Sequence, residues 1–396
     1  INPALKLKVT ERTTLDLSYE YADHERFIDR GIPTENGEPV KRFEKITFGD
    51  KDVNLTTFEA TIFRATLSTE FSDTNKGNLS IISSEFEKMY KNYYVSGYNA
   101  GDTVVTMDGY LDPTKRENTV IAGNLVNEIQ IGTSTHTLLF GGEIIDTSND
   151  NHRYDTFWST TSDDNEIFNI TRPMNFLENS SGFGASNDFT VNLSSKTKSD
   201  VEVSSIYFQD QIDFSDRLKL MIGGRHDTFD ITVADIKSGT SQSREDKEFS
   251  PRAGIIFKPS ENVSWYYSYS ESFLPRSGEQ YKKLTASAAA LDPDLYQSRE
   301  FGVKITISKN LSFAAAYFDS EQTIATRDTI GEGAEIIGLQ VDGLEIELKG
   351  KVNDKMNIVS GCSSMDGKTS SGGEPREIPE HTLPLLGTYK VSEKFE

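Results

Sequence analysis

Apolar and polar residues alternate with a period of two along most of this chain, which dictates extended strands with one apolar and one wet face. Val263, Trp265, Tyr267 and Tyr269 occupy every second position of VSWYYSY, after Ala253, Ile255 and Phe257 do the same in RAGIIFK. Phe301, Val303, Ile305 and Ile307 oppose Gly302, Lys304 and Thr306, and Leu311, Phe313, Ala315 and Tyr317 continue an apolar row. Leu344, Ile346 and Leu348 oppose Glu345, Glu347 and Lys349; Leu218, Leu220 and Ile222 oppose Lys219, Arg225 and Asp227. The pattern blurs between Phe58 and Phe71 and in SSIYFQDQIDF, where Ile206 and Tyr207 are adjacent and the faces stay unassigned. The reading gives about fifteen strands. They fall near 4–10, 13–24, 54–71, 76–94, 119–132, 135–148, 201–214, 217–236, 248–258, 262–273, 298–308, 310–325, 336–350, 352–366 and 381–392.

The connections constrain the fold further, because short and long ones alternate. Short ones lie at 10–13, 72–77, 132–135, 215–217, 259–262, 308–310 and 351–355. Long ones lie at 25–53, 95–118, 149–200, 237–247, 274–297, 326–335 and 367–380. Tight turns at one end and long loops at the other describe an up-and-down antiparallel meander of the kind that spans an outer membrane. A sandwich or propeller would space its turns more evenly, and the apolar faces total more area than one core can bury. Closure into a barrel gives each strand a lipid-facing and a lumen-facing row. On this reading Val263 and Trp265 point at lipid, and Tyr267 and Tyr269 sit at the boundary between apolar and polar media. The expected fold is therefore all-β, a transmembrane antiparallel up-and-down barrel.

Composition removes other classes. Only 35% of the 396 residues are hydrophobic, and no window approaches the run of about 18 apolar residues that a membrane helix needs. The net charge is -21, from 62 acidic and 41 basic residues, without the Lys and Arg clusters that nucleic acid requires. A single cysteine, Cys362, excludes an internal disulfide. The five histidines (His24, His136, His152, His226 and His381) are not spaced with Cys, His or carboxylates as metal ligands. DTSNDNHRYD (146–155) lacks the Gly and closing Glu of a calcium loop and reads as an acidic solvated loop, and SSGFGAS (180–186) reads as flexible loop. No phosphate loop, nucleophile elbow or triad order is present, so no catalytic residue is expected.

Several stretches resemble the barrel of the TonB-dependent siderophore receptors. They are FSPRAGIIFKPSENVSWYYSYSESFLPRSGEQY (249–281), LDPDLYQSREFGVK (291–304) and YFQDQIDFSDRLKLMIGGRHDTFD (207–230), with DRGIPTENGEPV, FGD, HTLLFGGEI, VDGLEIEL and IPEHTLPLLGTY matching in order. The resemblance implies a bacterial outer-membrane receptor that imports a ferric siderophore, energised by the TonB complex through an N-terminal plug. It further implies that 1–396 is one barrel domain, incomplete at both ends and without its plug: a partial wall of about fifteen strands, where the family has 22. The chain departs from the family in lacking the terminal aromatic strand and in placing Cys362 after Gly361, where the family has Gly-Tyr. The expected partners are a ferric siderophore, outer-membrane lipid and TonB through the plug region, with no nucleic acid, no covalently bound cofactor and a monomeric state. Other cargo (cobalamin, haem, carbohydrate), a passive porin-like barrel and a soluble all-β binding protein are the alternatives.

A siderophore supplies its own iron ligands, so the protein needs a wide mouth of aromatic rings, with Arg or Lys when the complex is anionic. Loop residues of these types are Tyr94, Tyr98, Arg153, Trp158, Phe183, Arg276 and Tyr281, with Trp158 and Arg276 foremost. Arg225 and Arg252 fall on the lumen face, where they could contact the plug. The excess negative charge leans toward a less anionic ligand than a ferric catecholate.

Overall fold

A computed structural model describes all residues except 99, 100, 102, 277–280, 328–332, 376–377 and 393–396. The strands in order are β1 (Ala4–Lys8), β2 (Thr13–Phe27), β3 (Thr34–Glu35), β4 (Glu38–Pro39), β5 (Leu55–Glu70), β6 (Asn75–Tyr98), β7 (Val104–Ile131), β8 (Ser134–Asp155), β9 (Glu166–Asn169) and β10 (Asn192–Ser215). There follow β11 (Leu218–Asp235), β12 (Thr240–Ser260), β13 (Val263–Leu274), the one-turn helix α1 (Ala286–Ala289), β14 (Asp294–Ser308), β15 (Leu311–Arg327), β16 (Gly333–Asn353), β17 (Met356–Thr369), β18 (His381–Thr382) and β19 (Leu385–Tyr389). All but β3 and β4 join one sheet of 17 strands, every pairing antiparallel. The short β9 and β18 flank β7 and β17; the other fifteen follow one another as a meander from β1 to β19. Among the described residues no pairing joins those two edges, so the sheet is an open wall.

Register carries each face across the wall. Leu220, Ile255, Tyr267, Phe301, Tyr317 and Leu344 form one cross-strand row, and most of its large side chains are exposed. Leu7, Leu15, Leu67 and Leu79 begin a comparable row at the other edge. Trp265 stacks on Phe301 within this outer face, ring centroids 5.6 Å apart. So large a contiguous apolar surface marks contact with lipid or with another apolar partner. The inner face is polar: Gly223, Arg252, Ser270, Ser298 and Ser320 make one of its rows. In β10 the sequence pattern left unassigned, Ile206 points outward, while Tyr207 lies inward across Gly141 and donates its hydroxyl to Asn124 Oδ1 at 2.7 Å. A Cβ at Gly141 would sit 2.2 Å from the Tyr207 ring, so this close approach requires glycine.

The long connections differ from expectation. Most of 95–118 is strand: β6 runs to Tyr98 and β7 starts at Val104, with pairing continuous from Asn75 to Tyr98 apart from one bulge. β8 likewise continues through 146–155, which is therefore strand, and β11 and β12 meet in a tight turn after Asp235. The expected loop 326–335 falls partly outside the described residues; on either side of that gap β15 reaches Arg327 and β16 starts at Gly333. These extensions lose the regular alternation of apolar and polar residues although the backbone ladder persists. Pro113 sits inside β7, where it cannot donate, and the β7–β8 ladder lapses between Leu111 and Thr114. Long connections remain at 28–54, at 156–191, between β13 and β14, and between β17 and β18, where the expected loop 367–380 falls partly outside the described residues.

Candidate functional site

The loops 28–54 and 156–191 pack against the outward side of the β6–β7 extension. There Tyr93, Val105 and Met107 meet Phe43, Phe48, Trp158, Phe168, Phe176 and Phe189 in a buried aromatic cluster. Tyr93 lies 5.2 Å from Trp158 and 5.2 Å from Phe176 between ring centroids. Buried Asn54 locks the first loop to β6: its Nδ2 donates to the carbonyls of Ile28 and Tyr93, and its Oδ1 accepts from the Tyr93 amide. Within the second loop, burial pushes the Asp164 carboxyl up from its ordinary range. The same loop is ordered around Asn179, whose Oδ1 accepts from the amides of Ser181 and Phe183, so 180–186 is a defined turn.

The expected site residues fall into different surroundings. Trp158 is 1% exposed and belongs to the core of the loop layer. Arg276 is held by Asp294, 2.5 Å from its Nη1, and donates from Nε to the Asp292 carbonyl. These contacts tie the start of the β13–β14 connection to its end. Tyr98 takes a hydrogen bond from Arg42 and packs edge-on to Phe43 at the border of the loop core. Phe183 is 65% exposed on the loop surface.

Tyr94, Arg153 and Tyr281 belong together on the inner face. Strand parity turns Tyr94 (β6), Tyr110, Asp112 and Arg116 (β7) and Arg153 (β8) inward at the long-loop end. The Arg153 guanidinium stacks on the Tyr110 ring, 3.9 Å from its centroid, and pairs with Asp112 at 3.7 Å and Asp155 at 3.5 Å. Arg30 approaches from the first loop, 5.6 Å from the same ring and 5.5 Å from that of Tyr94, and donates to the Tyr110 hydroxyl at 2.5 Å. Tyr94 in turn donates to Asp108 at 2.8 Å. The result is an aromatic surface flanked by two guanidiniums, a surface suited to a flat or oxygen-rich anionic group. Tyr281 lies beside it, against Arg116 at 5.4 Å and Phe229 at 6.0 Å. Sequence reasoning missed Arg30, Tyr110 and Arg116. The last two share the parity of Tyr94's partner Asp108, and extending the β7 alternation upstream would have found them.

Further down the inner face, Arg225 binds Glu143 at 2.7 Å and Asp227 at 2.8 Å and lies over the Tyr207 ring. Arg252 faces inward opposite Gly223 and Ser270. Among the described residues no group of three or more His, Cys, Asp or Glu could hold a metal ion.

Known proteins share this architecture. The structure of the siderophore receptor PiuA from Acinetobacter baumannii superposes with a TM-score of 0.84 at 21% identity, covering 99% of this chain and 62% of that one. The ferrichrome outer membrane transporter/phage receptor of Escherichia coli is 26% identical over 70% of this chain and 37% of its own length. The metal-pseudopaline receptor CntO of Pseudomonas aeruginosa is 21% identical over 99% of this chain and 55% of its own length. The chain thus spans about half or less of the curated relatives it matches. A family model described as TonB dependent receptor-like, beta-barrel matches residues 3–394, and the chain belongs to that family.

Proposed function

We propose that this chain forms the wall and outer loops of an outer-membrane receptor that takes up a ferric siderophore, energised by TonB through a plug region. The observation that carries the reading is the inward cluster of Arg30, Tyr94, Tyr110 and Arg153 at the long-loop end. The relatives' names, a ferrichrome transporter and a ferrioxamine B receptor, support iron-chelate cargo, and that of a metal-pseudopaline receptor supports a metal chelate without naming the metal. In this reading the apolar belt faces lipid, the tight turns face the periplasm and the long loops face the exterior. The protein makes and breaks no bonds; the siderophore coordinates the iron and the receptor recognises its surface. Arg225 and Arg252 line the lumen, where a plug carboxylate or carbonyl would meet them.

Growth of an iron-starved reporter strain carrying the full-length receptor tests this, using ferrichrome, ferrioxamine B and pyoverdine against haem, cobalamin and carbohydrate. Rescue by one ferric chelate supports the reading; response to a non-iron cargo alone replaces it. Arg153→Ala and Tyr110→Ala should each weaken binding of the rescuing chelate by about tenfold, the loss expected for a cation–π contact with an ion pair. Barrel assembly, read from heat-modifiable gel mobility, should be unchanged.

A further inference from the structure

The described part of the connection between β13 and β14 from Tyr281 onward lies along the inner face of β12, β11, β10 and β7. Arg244 of β12 donates to the Ala289 carbonyl at 2.9 Å. Leu284 is buried among Val201, Phe229, Ile231 and Val233. Lys282 reaches Asp112 of β7 at 3.4 Å. The Tyr281 ring covers Arg116 and has φ of 50°, a left-handed conformation that costs a non-glycine residue about 1 kcal/mol or more.

Between those anchor points the wall is polar. Register aligns Thr114, Asn151 and Thr197 in one row and Arg116, Asn149 and Ser199 in the next. Asn149, Asn151, Thr197 and Ser199 are all buried, at 2%, 3%, 7% and 1% exposure. Asn151 Nδ2, Thr197 Oγ and Ser199 Oγ have no hydrogen-bond partner. Buried polar atoms left this way are costly, and these three lie on β8 and β10, between β7, where Tyr281 and Lys282 dock, and β11, where Leu284 docks.

We propose that Tyr281–Ala289 is a strap that fills a ligand subsite in the resting receptor, and that this Asn, Thr and Ser ladder is the subsite. Tyr281 and Lys282 occupy the positions of a ligand's planar and cationic groups. The two rows offer amides, hydroxyls and one guanidinium but no carboxylate, which suits an oxygen-rich, weakly charged chelate of the hydroxamate class better than a highly charged tris-catecholate. The ligand class rests on the ferric-siderophore reading; the strap does not.

The test uses the full-length receptor with Cys362→Ala. Ser199→Cys reports the covered wall, and Ser238→Cys, in the exposed turn after β11, is the control. A water-soluble maleimide should label Ser199→Cys about tenfold or more slowly than the control. Adding Lys282→Ala with Leu284→Ala should erase that difference. Equal labelling at the start, or no acceleration on release, overturns the strap. Ferrioxamine B and a synthetic ferric tris-catecholate then probe the ladder. Strap release should tighten ferrioxamine B binding several-fold and Asn151→Leu should weaken it about tenfold, with the tris-catecholate binding more weakly throughout. Indifference of ferrioxamine B to both changes, or preference for the tris-catecholate, overturns the subsite. Failure of every ferric chelate to bind the unaltered receptor removes the functional reading and the ligand class, and the labelling result still decides the strap.

Discussion

At the scale of single residues, the sequence announces chemistry without saying which side of a wall it stands on. Trp158 and Arg153 are both loop-end residues of the type that binds chelates, yet one is sealed among Tyr93, Phe168 and Phe189 and the other stacks openly on Tyr110. Trp158→Ala should cost about 3–5 kcal/mol of packing in the loop layer. Limited proteolysis should then cut within 156–191 while the barrel keeps its gel mobility; resistance equal to that of the unaltered protein would contradict the packing role. Gly141→Ala should push Tyr207 off Asn124 and lower thermal stability by about 1–3 kcal/mol, and Tyr207→Ala in the same chain should relieve most of that. What was legible here is residue type; what was not is burial, because burial depends on loops folding back from distant sequence.

At the scale of elements, period-two alternation located the membrane-facing part of the strands and failed above it. In β7 the outward Ile121 and Leu125 were visible as an apolar row, whereas Tyr110, Asp112 and Arg116 were read as loop because both faces are polar there. Alternation records contact with an apolar medium, and that signal stops at the edge of the belt although hydrogen bonding between strands does not. The register makes a sharp prediction from neighbouring positions. Leu125→Arg, on the outer face, should destabilise the folded receptor by about 2–4 kcal/mol if it sits near the bilayer midplane, while Val126→Arg, on the inner face, should cost far less. Urea titration in lipid vesicles reads the difference, and equal effects would mean the faces are misassigned.

For the whole molecule, the alternation of tight turns and long connections was enough to indicate the meander, and each of the fifteen expected segments overlaps a strand of the sheet, though several strands run well beyond it. The tertiary placement of the β13–β14 connection had no such signal, since its apolar residues Leu284, Ala288 and Ala289 show neither strand nor long-helix periodicity. On the proposed reading, a wall with an apolar outer face and a polar inner face separates lipid from a hydrated passage, and the guanidinium–tyrosine cluster lies at the passage's outer mouth. At that mouth Asp112 and Asp155 share Arg153, and Lys282 also reaches Asp112. The most direct test of the account is uptake of radiolabelled iron chelates by cells carrying the full-length receptor, with and without TonB and with Arg153→Ala beside the unaltered sequence. The account predicts accumulation of one ferric chelate that is lost without TonB and reduced by about tenfold at subsaturating chelate in the Arg153 variant. Uptake that persists without TonB, or that is indifferent to Arg153, would contradict it.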